Sequence, residues 1–325
     1  MLTAEHKVKV WAERHDFMYI GIDLGGTNIA AGIVNEDKKI ICSDSRPTLS
    51  ERPYTEIVAD MAGLCSDLIK KAGVDVSDIK GIGIGSPGAI DNKNGVVIYA
   101  NNLNWDNVPL AEELRKYIDV PVNVENDANA AAYGEYMECG GDMESFVAIT
   151  LGTGVGGGVI INGKIYRGFN GVAGELGHTM LIHGGEYCTC GNDGCWEAYA
   201  SVTALIRQTK AAIAKHPDSM MAEDVKVSGR TSFNAAKAGD KAGREVVDRY
   251  IEYVASGINN IVNIFQPNML VIGGGISNEG DYLLNPIKEY VKKHSYCKAV
   301  EQTEIKIASL KNDAGIIGAA LACGQ

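Results

Sequence analysis

His178, Cys188, Cys190 and Cys195 fall within 18 residues and are interspersed with glycines, a donor set whose chemistry is that of a metal site. Three thiolates and one imidazole satisfy tetrahedral zinc, and glycine-rich turns let closely spaced ligands converge. Four protein ligands leave no position for water, so the zinc is expected to be structural. Metal-free packing of the same side chains is one alternative, and a zinc ribbon that binds nucleic acid is another. Glu175 stands three residues before His178 and Glu197 two after Cys195. Zinc needs neither carboxylate, so the loop is expected to present them to something else.

A second polar group is Glu125-Asn126-Asp127-Ala128-Asn129-Ala130. Asn126 and Asp127 suit the cap of the Ala-rich helix that follows. The same residues also suit sugar chemistry: amides donate to and accept from hydroxyls, and Asp127 can take the proton of an attacking hydroxyl late in a loose phosphoryl transfer. A helix N-terminus is expected to keep Asp127 ionised.

YIGIDLGGTNIAAGIV at 19–34 and FVAITLGTGVGGGVII at 146–161 superimpose without a gap at an offset of 127. Each reads as strand, glycine turn, strand, with glycines that permit positive φ. Bare backbone N–H groups at Gly25, Gly26 and Thr27, and at Thr153 and Gly154, can approach phosphates, and Asp23 beside the first turn can hold a hydrated Mg²⁺. The strand 269–272 runs into Gly273, Gly274 and Gly275, where nucleotides lie in open α/β sheets. A dinucleotide G-x-G-x-x-G is absent, which argues against a Rossmann dehydrogenase.

The positioning elements follow from apolar spacing: helices over 55–72, 110–118, 128–138, 198–215, 241–265 and 313–323, and strands over 81–85, 120–124 and 269–272. At 325 residues the chain exceeds what one core usually supports, and the duplicated hairpin implies two α/β lobes enclosing a cleft. Apolar residues make up 46% and charged residues 22%, the balance of a soluble globular protein, and no run of about 18 apolar residues offers a membrane span. A net charge of −11 disfavours nucleic acid and anionic membranes as partners. Residues 178–197 hold Glu186, Asp193 and Glu197 but no Lys or Arg, which sets the nucleic-acid ribbon aside. Eight Cys without a disulfide framework point to a reducing, cytoplasmic setting. Cys42, Cys65, Cys139, Cys297 and Cys323 read as small core or surface residues, and His6, His15, His183, His216 and His294 as surface residues. Residues 1–18 lack the apolar segment of a secretory leader and read as an N-terminal extension.

Asp23-Leu24-Gly25-Gly26-Thr27, Gly85-Ser86-Pro87-Gly88, the 125–130 segment, Leu151-Gly152-Thr153-Gly154, Gly174-Glu175-Leu176-Gly177-His178 and the Cys188–Glu197 run resemble, in order, the motifs of the ROK group (repressor, open reading frame, kinase), particularly its bacterial glucokinases. The resemblance spans residues 19–323. It implies the actin-like, hexokinase-type fold with two RNase H-like lobes: a small lobe over 19–124, completed by the C-terminal helix 313–325, and a large lobe over 125–312 carrying the zinc loop 178–195. It also implies transfer of the γ-phosphoryl group of Mg-ATP to the 6-hydroxyl of a hexose, glucose first, with Asp127 as general base. Gly88, Asn101, Asn102, Asn126, Glu175, His178 and Glu197 would contact sugar, the two glycine turns would hold phosphates, and Gly273–Gly275 would lie under adenosine. Homodimers or homotetramers are implied. Another aldose or an amino sugar such as N-acetylmannosamine, polyphosphate as donor, or a non-catalytic sugar sensor remain open. The 18 residues before the first strand are expected to be too short for the DNA-reading domain of the group's repressors.

Overall fold

The computed structural model describes residues 17–324, so all but the last two residues of the N-terminal extension, His6 and His15 included, lie outside the described residues. The chain begins with β1 (Met18–Leu24), β2 (Asn28–Asn35), β3 (Ile40–Pro47), α1 (Tyr54–Ala72) and β4 (Ile79–Ser86). A small antiparallel sheet follows, β5 (Ala89–Asp91), β6 (Val96–Ala100) and β7 (Trp105–Val108), then α2 (Leu110–Arg115), β8 (Val122–Asn126) and α3 (Asp127–Glu138). Next come β9 (Ser145–Leu151), β10 (Val155–Ile161), β11 (Lys164–Ile165), α4 (Glu197–Ala200), α5 (Val202–Lys215), α6 (Thr231–Lys237) and α7 (Lys241–Phe265). The chain closes with β12 (Met269–Gly273), α8 (Asp281–His294), β13 (Glu304–Ile307) and α9 (Ala314–Ala322).

The duplication seen in the hairpins extends to whole sheets. The first sheet runs β3-β2-β1-β4-β8 and the second β11-β10-β9-β12-β13, the same order with the hairpin on one side and two parallel strands on the other. Two compact units result. One holds the described residues up to Asp142, Gly158–Gly174 and the chain from Leu310; the other holds Met143–Gly157 and Glu175–Ser309. This grouping puts α3 in the first unit, whereas the expected division falls at residue 125. Helical periodicity shows a buried stripe but not which neighbour covers it, and α3 packs on α9.

Strand alternation explains the Gly81-Ile82-Gly83-Ile84-Gly85 pattern of β4. Side chains of successive residues leave opposite faces of a strand. Ile82 and Ile84, with Ile20, Ile22 and Leu24 of β1, enter a core shared with Ile57, Met61 and Leu68 of α1. The other face is bare because α9 lies against it. A Cβ at Gly21 would overlap the carbonyl of Ile316, and one at Gly83 the carbonyl of Ala319. On its far side α9 meets α3 as closely: a Cβ at Gly318 would overlap the carbonyl of Ala130.

Two helices differ from the sequence expectation. The helix expected over 110–118 ends at Arg115, and the one over 198–215 breaks at Ser201, whose hydroxyl accepts from the Ala204 N–H at 3.1 Å and so starts a new helix. Among the described residues no helix is long and apolar enough to cross a membrane.

Gly83→Ala is expected to destabilise the protein by about 3 kcal/mol, because a methyl there meets backbone that cannot turn away. Urea unfolding compared with Ile82→Val, for which about 1 kcal/mol is expected, checks this; a milder effect at Gly83 than at Ile82 contradicts the packing.

Candidate functional site

In the first unit, β8 runs straight into α3 and sets Asn126 and Asp127 at the junction. Asn126 is the N-cap: its Oδ1 accepts from the N–H groups of Ala128 at 3.0 Å and Asn129 at 3.1 Å. Its Nδ2 donates to Gly88 O at 3.2 Å, leaving one amide proton for a ligand. Capping and a polar site are therefore served by one side chain. Asp127 is the first helical residue, and the end of β4 packs against it: a Cβ at Gly85 would lie 3.5 Å from Asp127 Cα, an ordinary contact.

Asp127 Oδ1 accepts from the Ala128 N–H at 2.8 Å. That bond draws the carboxyl down, but burial outweighs it and pushes the group above the usual carboxylate range. The helix N-terminus thus favours the ionised form, as expected, but burial opposes it more strongly. Asp23, near the end of β1, is pushed up to about 6, first by burial and then by the Asp127 carboxylate. A Cβ at Gly315, in the first turn of α9, would sit 2.7 Å from Asp23 Oδ2, so the helix start closes over this carboxylate.

The Gly25–Thr27 turn lies beside these groups. Gly25 N–H donates to Asn28 O at 2.9 Å, and Thr48 Oγ1 donates to Gly25 O at 2.6 Å. Neither Gly25 nor Gly26 has positive φ, nor do Gly152 and Gly154. What these turns need is closeness: a Cβ at Gly26 would lie 3.1 Å from Asn102 O, and one at Gly154 would strike the Glu197 carboxylate. Gly88 does have positive φ, 98°, and a Cβ there would overlap the Tyr99 carbonyl and crowd Ala100. Gly88 and the exposed Asn101 and Asn102 are thereby gathered at one end of the small sheet.

Glu125 opens the polar 125–130 segment, and its partner Arg167 carries no mark in the sequence. Glu125 is 2% exposed and accepts on Oε2 from Arg167 Nε and Nη2, both at 2.6 Å. The available signal was chemical: a carboxylate ending a buried strand requires a cation.

The second unit gathers the remaining site residues. Glu197 Oε2 accepts from the Val155 N–H at 2.9 Å, directly after the Gly152–Gly154 turn, while its Oε1 lies 3.7 Å from Cys188 Sγ. The turn is also held by Val202 N–H on Gly152 O and Thr203 Oγ1 on Thr153 O, each at 2.8 Å. Gly273–Gly275 adjoin it, since a Cβ at Gly274 (φ 85°) would overlap the Leu151 backbone. Glu175 is exposed at the start of a short 3-10 turn, Leu176–His178, and its carbonyl accepts from the His178 N–H. Gly177 lets that turn rest on Val155.

His178, Cys188, Cys190 and Cys195 bring one donor atom each to within 4.8 Å of one another. Cys190 and Cys195 Sγ are 3.6 Å apart, and Cys188 Sγ is 3.7 Å from His178 Nδ1. Ligands about 2.3 Å from a tetrahedral centre stand about 3.7 Å apart, so the spacing fits a four-coordinate ion. Burial pushes the Cys188 thiol up and Cys195 to about 12, whereas the Asn192 backbone N–H draws Cys190 down to about 7. Three thiols this close ionise together only around a cation. Trp196 anchors the loop: its Nε1 donates to Tyr253 O at 2.9 Å, and its ring fills the space above Gly257 of α7. Cys42, Cys65, Cys139, Cys297 and Cys323 are free and stand outside this cluster.

Duplicated sheets of this order, with an acid at a strand-to-helix junction, define an actin-like, hexokinase-type fold. Residues 19–325 match the ROK family, and the chain belongs to it. The glucokinase of Halalkalibacterium halodurans is 38% identical over 309 residues, covering 93% of this chain and 94% of that protein. The xylose repressor of Caldicellulosiruptor bescii is 32% identical over 303 residues, covering 92% of this chain and 76% of that protein. The crystal structure of a ROK family glucokinase from Streptomyces griseus in complex with glucose and AMPPNP has a TM-score of 0.79 and 34% identity, covering 93% of this chain and 98% of that one.

The raised pKa of Asp23 makes its ionisation a cost to folding. The protonated acid folds without penalty, so stability is highest below the unfolded value and declines as pH rises from about 4 to about 6. Asp23→Asn is therefore expected to stabilise the protein, free of nucleotide and divalent cation, by about 2 kcal/mol at pH 7 and hardly at all at pH 4. Urea unfolding at the two pH values checks this; equal differences at both refute it.

Proposed function

We propose that this protein is an ATP-dependent hexose kinase of glucokinase type, transferring the γ-phosphoryl group of ATP to the 6-hydroxyl of glucose. The observation that carries this reading is Asp127: a carboxylate fixed at a helix start, with a raised proton affinity, beside Asp23 and the Gly25–Thr27 turn. Asp127 is the general base. Its proton affinity lies far below that of an alkoxide, so it takes the hydroxyl proton only as the new P–O bond forms. Sugar contacts are assigned to Asn126, Gly88, Asn101 and Asn102 and to Glu175, His178 and Glu197. The turns Gly25–Thr27 and Thr153–Gly154 hold the phosphates with their backbone N–H groups, and Gly273–Gly275 lie under the adenosine. Mg²⁺, entering with ATP near Asp23, neutralises charge on the transferring group. Transfer is in line and direct, so no phosphoenzyme forms.

Zinc is the ion we assign to His178, Cys188, Cys190 and Cys195, on the softness and spacing of the donors. There it fixes the loop that carries Glu197. A reducing cytoplasmic setting suits free thiols, and assembly as a dimer or tetramer completes the reading. A second reading, a sugar sensor without turnover, is favoured by the similarity to the xylose repressor.

ADP release measured over a panel of hexoses decides between them. Glucose is expected to give the highest kcat/KM, and Asp127→Asn to lower kcat by about 10²–10⁴-fold while calorimetry still detects glucose binding. Glucose binding without ADP formation by the wild type establishes the sensor. Elemental analysis is expected to find one zinc per chain. Stripping it is expected to weaken glucose affinity more than nucleotide affinity, because Val202 and Thr203 hold the Gly152–Gly154 turn independently of the thiols; unchanged glucose affinity after zinc loss breaks the link.

A further inference from the structure

Glu125 places a charge where water cannot reach it, and its partner comes from a distant part of the chain. Arg167, two residues beyond β11, directs Nε and Nη2 onto Oε2, each at 2.6 Å. The other oxygen, Oε1, accepts from the Asn126 backbone N–H at 3.0 Å and from Asn129 Nδ2 at 3.2 Å. Asn126 caps α3 and Asn129 lies in its first turn, so Glu125 is bonded to the chain on both sides of Asp127. Arg167 is anchored in turn. Tyr166 N–H donates to Val159 O at 2.7 Å, and Arg167 O accepts from the Ala173 N–H at 3.1 Å.

We propose that Arg167 is a positioning residue for phosphoryl transfer: through Glu125 it fixes the first turn of α3 and hence the direction in which Asp127 meets the sugar hydroxyl. The inference rests on the reading of Asp127 as the base. A guanidinium suits the task better than an ammonium, because its planar fork sets the orientation of a carboxylate as well as balancing its charge. Loss of Arg167 leaves Glu125 buried and unpaired. The carboxylate then turns toward water, and that movement disturbs the Oε1 bonds that hold Asn126 and Asn129. Displacement of a catalytic group by about 1 Å can cost about 100-fold in rate with little change in binding. An ion pair of purely structural value would instead lower the melting temperature and leave the turnover of folded molecules unchanged.

The test compares wild type, Arg167→Lys and Arg167→Met by thermal unfolding and by kcat and KM for glucose and ATP, well below each melting point. Arg167→Met is expected to lose about 10–100-fold in kcat with both KM values within about 3-fold of wild type. Arg167→Lys, which restores charge without the fork, is expected to recover part of that loss, and it carries the test alone if the Met variant does not fold. A folded variant with wild-type kcat, or a loss confined to KM, overturns the positioning role while leaving the kinase assignment standing. A wild type that releases no ADP with any hexose overturns both, and so separates the two failures.

Discussion

The first unit depends on how closely α9 approaches β1, β4 and α3. Helix backbone touches strand backbone only where the strand presents no side chain, and Gly21 and Gly83 provide that surface. Gly134 and Gly318 do the same between α9 and α3. The helix is built of Ala, Gly and Ile and is buried over nearly its whole length, so its contribution is shape and apolar area rather than charge. Its start falls at Asp23, and α3, stacked on it, begins at Asp127. A contact between small residues thus determines where two carboxylates stand.

Those carboxylates and Glu125 occupy one small region but differ in their partners. Glu125 is the most buried of the three, and it is met by a guanidinium and two amide donors. Asp127 has helix N–H groups, which are too weak to offset burial, and Asp23 faces Asp127. Geometry alone would make all three plausible bases. The surrounding dipoles and charges separate them: a carboxylate saturated by Arg167, Asn126 and Asn129 has little capacity left for a ligand, whereas Asp127 keeps an oxygen available.

Much of this was legible in the sequence because it rests on periodicity and residue type. The two hairpins, the cap at Asn126, the helix over 241–265 and the Cys3His donor set each depend on neighbours along the chain, and each formed where it was expected. Pairings made across long sequence distances were not legible. Arg167 reaches Glu125 over 42 residues, and no local pattern marks either as the other's partner. The turn glycines permit positive φ and close approach, but no local pattern shows that Asn102 would come up to Gly26 and Glu197 to Gly154. β3, β7 and β13 were missed for a related reason, since their short and partly exposed stretches become strands only by pairing with stronger ones.

Glu197 shows how such long-range constraints combine. It follows Cys195 by two residues, so whatever fixes the thiol cluster and Trp196 also fixes its carboxylate. Oε2 reaches Val155 and Oε1 reaches Cys188, and the missing Cβ of Gly154 is what lets the carboxylate in. A larger residue at 154 would push Glu197 away from Val155. Acidic residues around a cysteine cluster therefore need not serve the cluster itself. Here the compact Cys/His loop and Trp196 hold one of them against a neighbouring glycine turn.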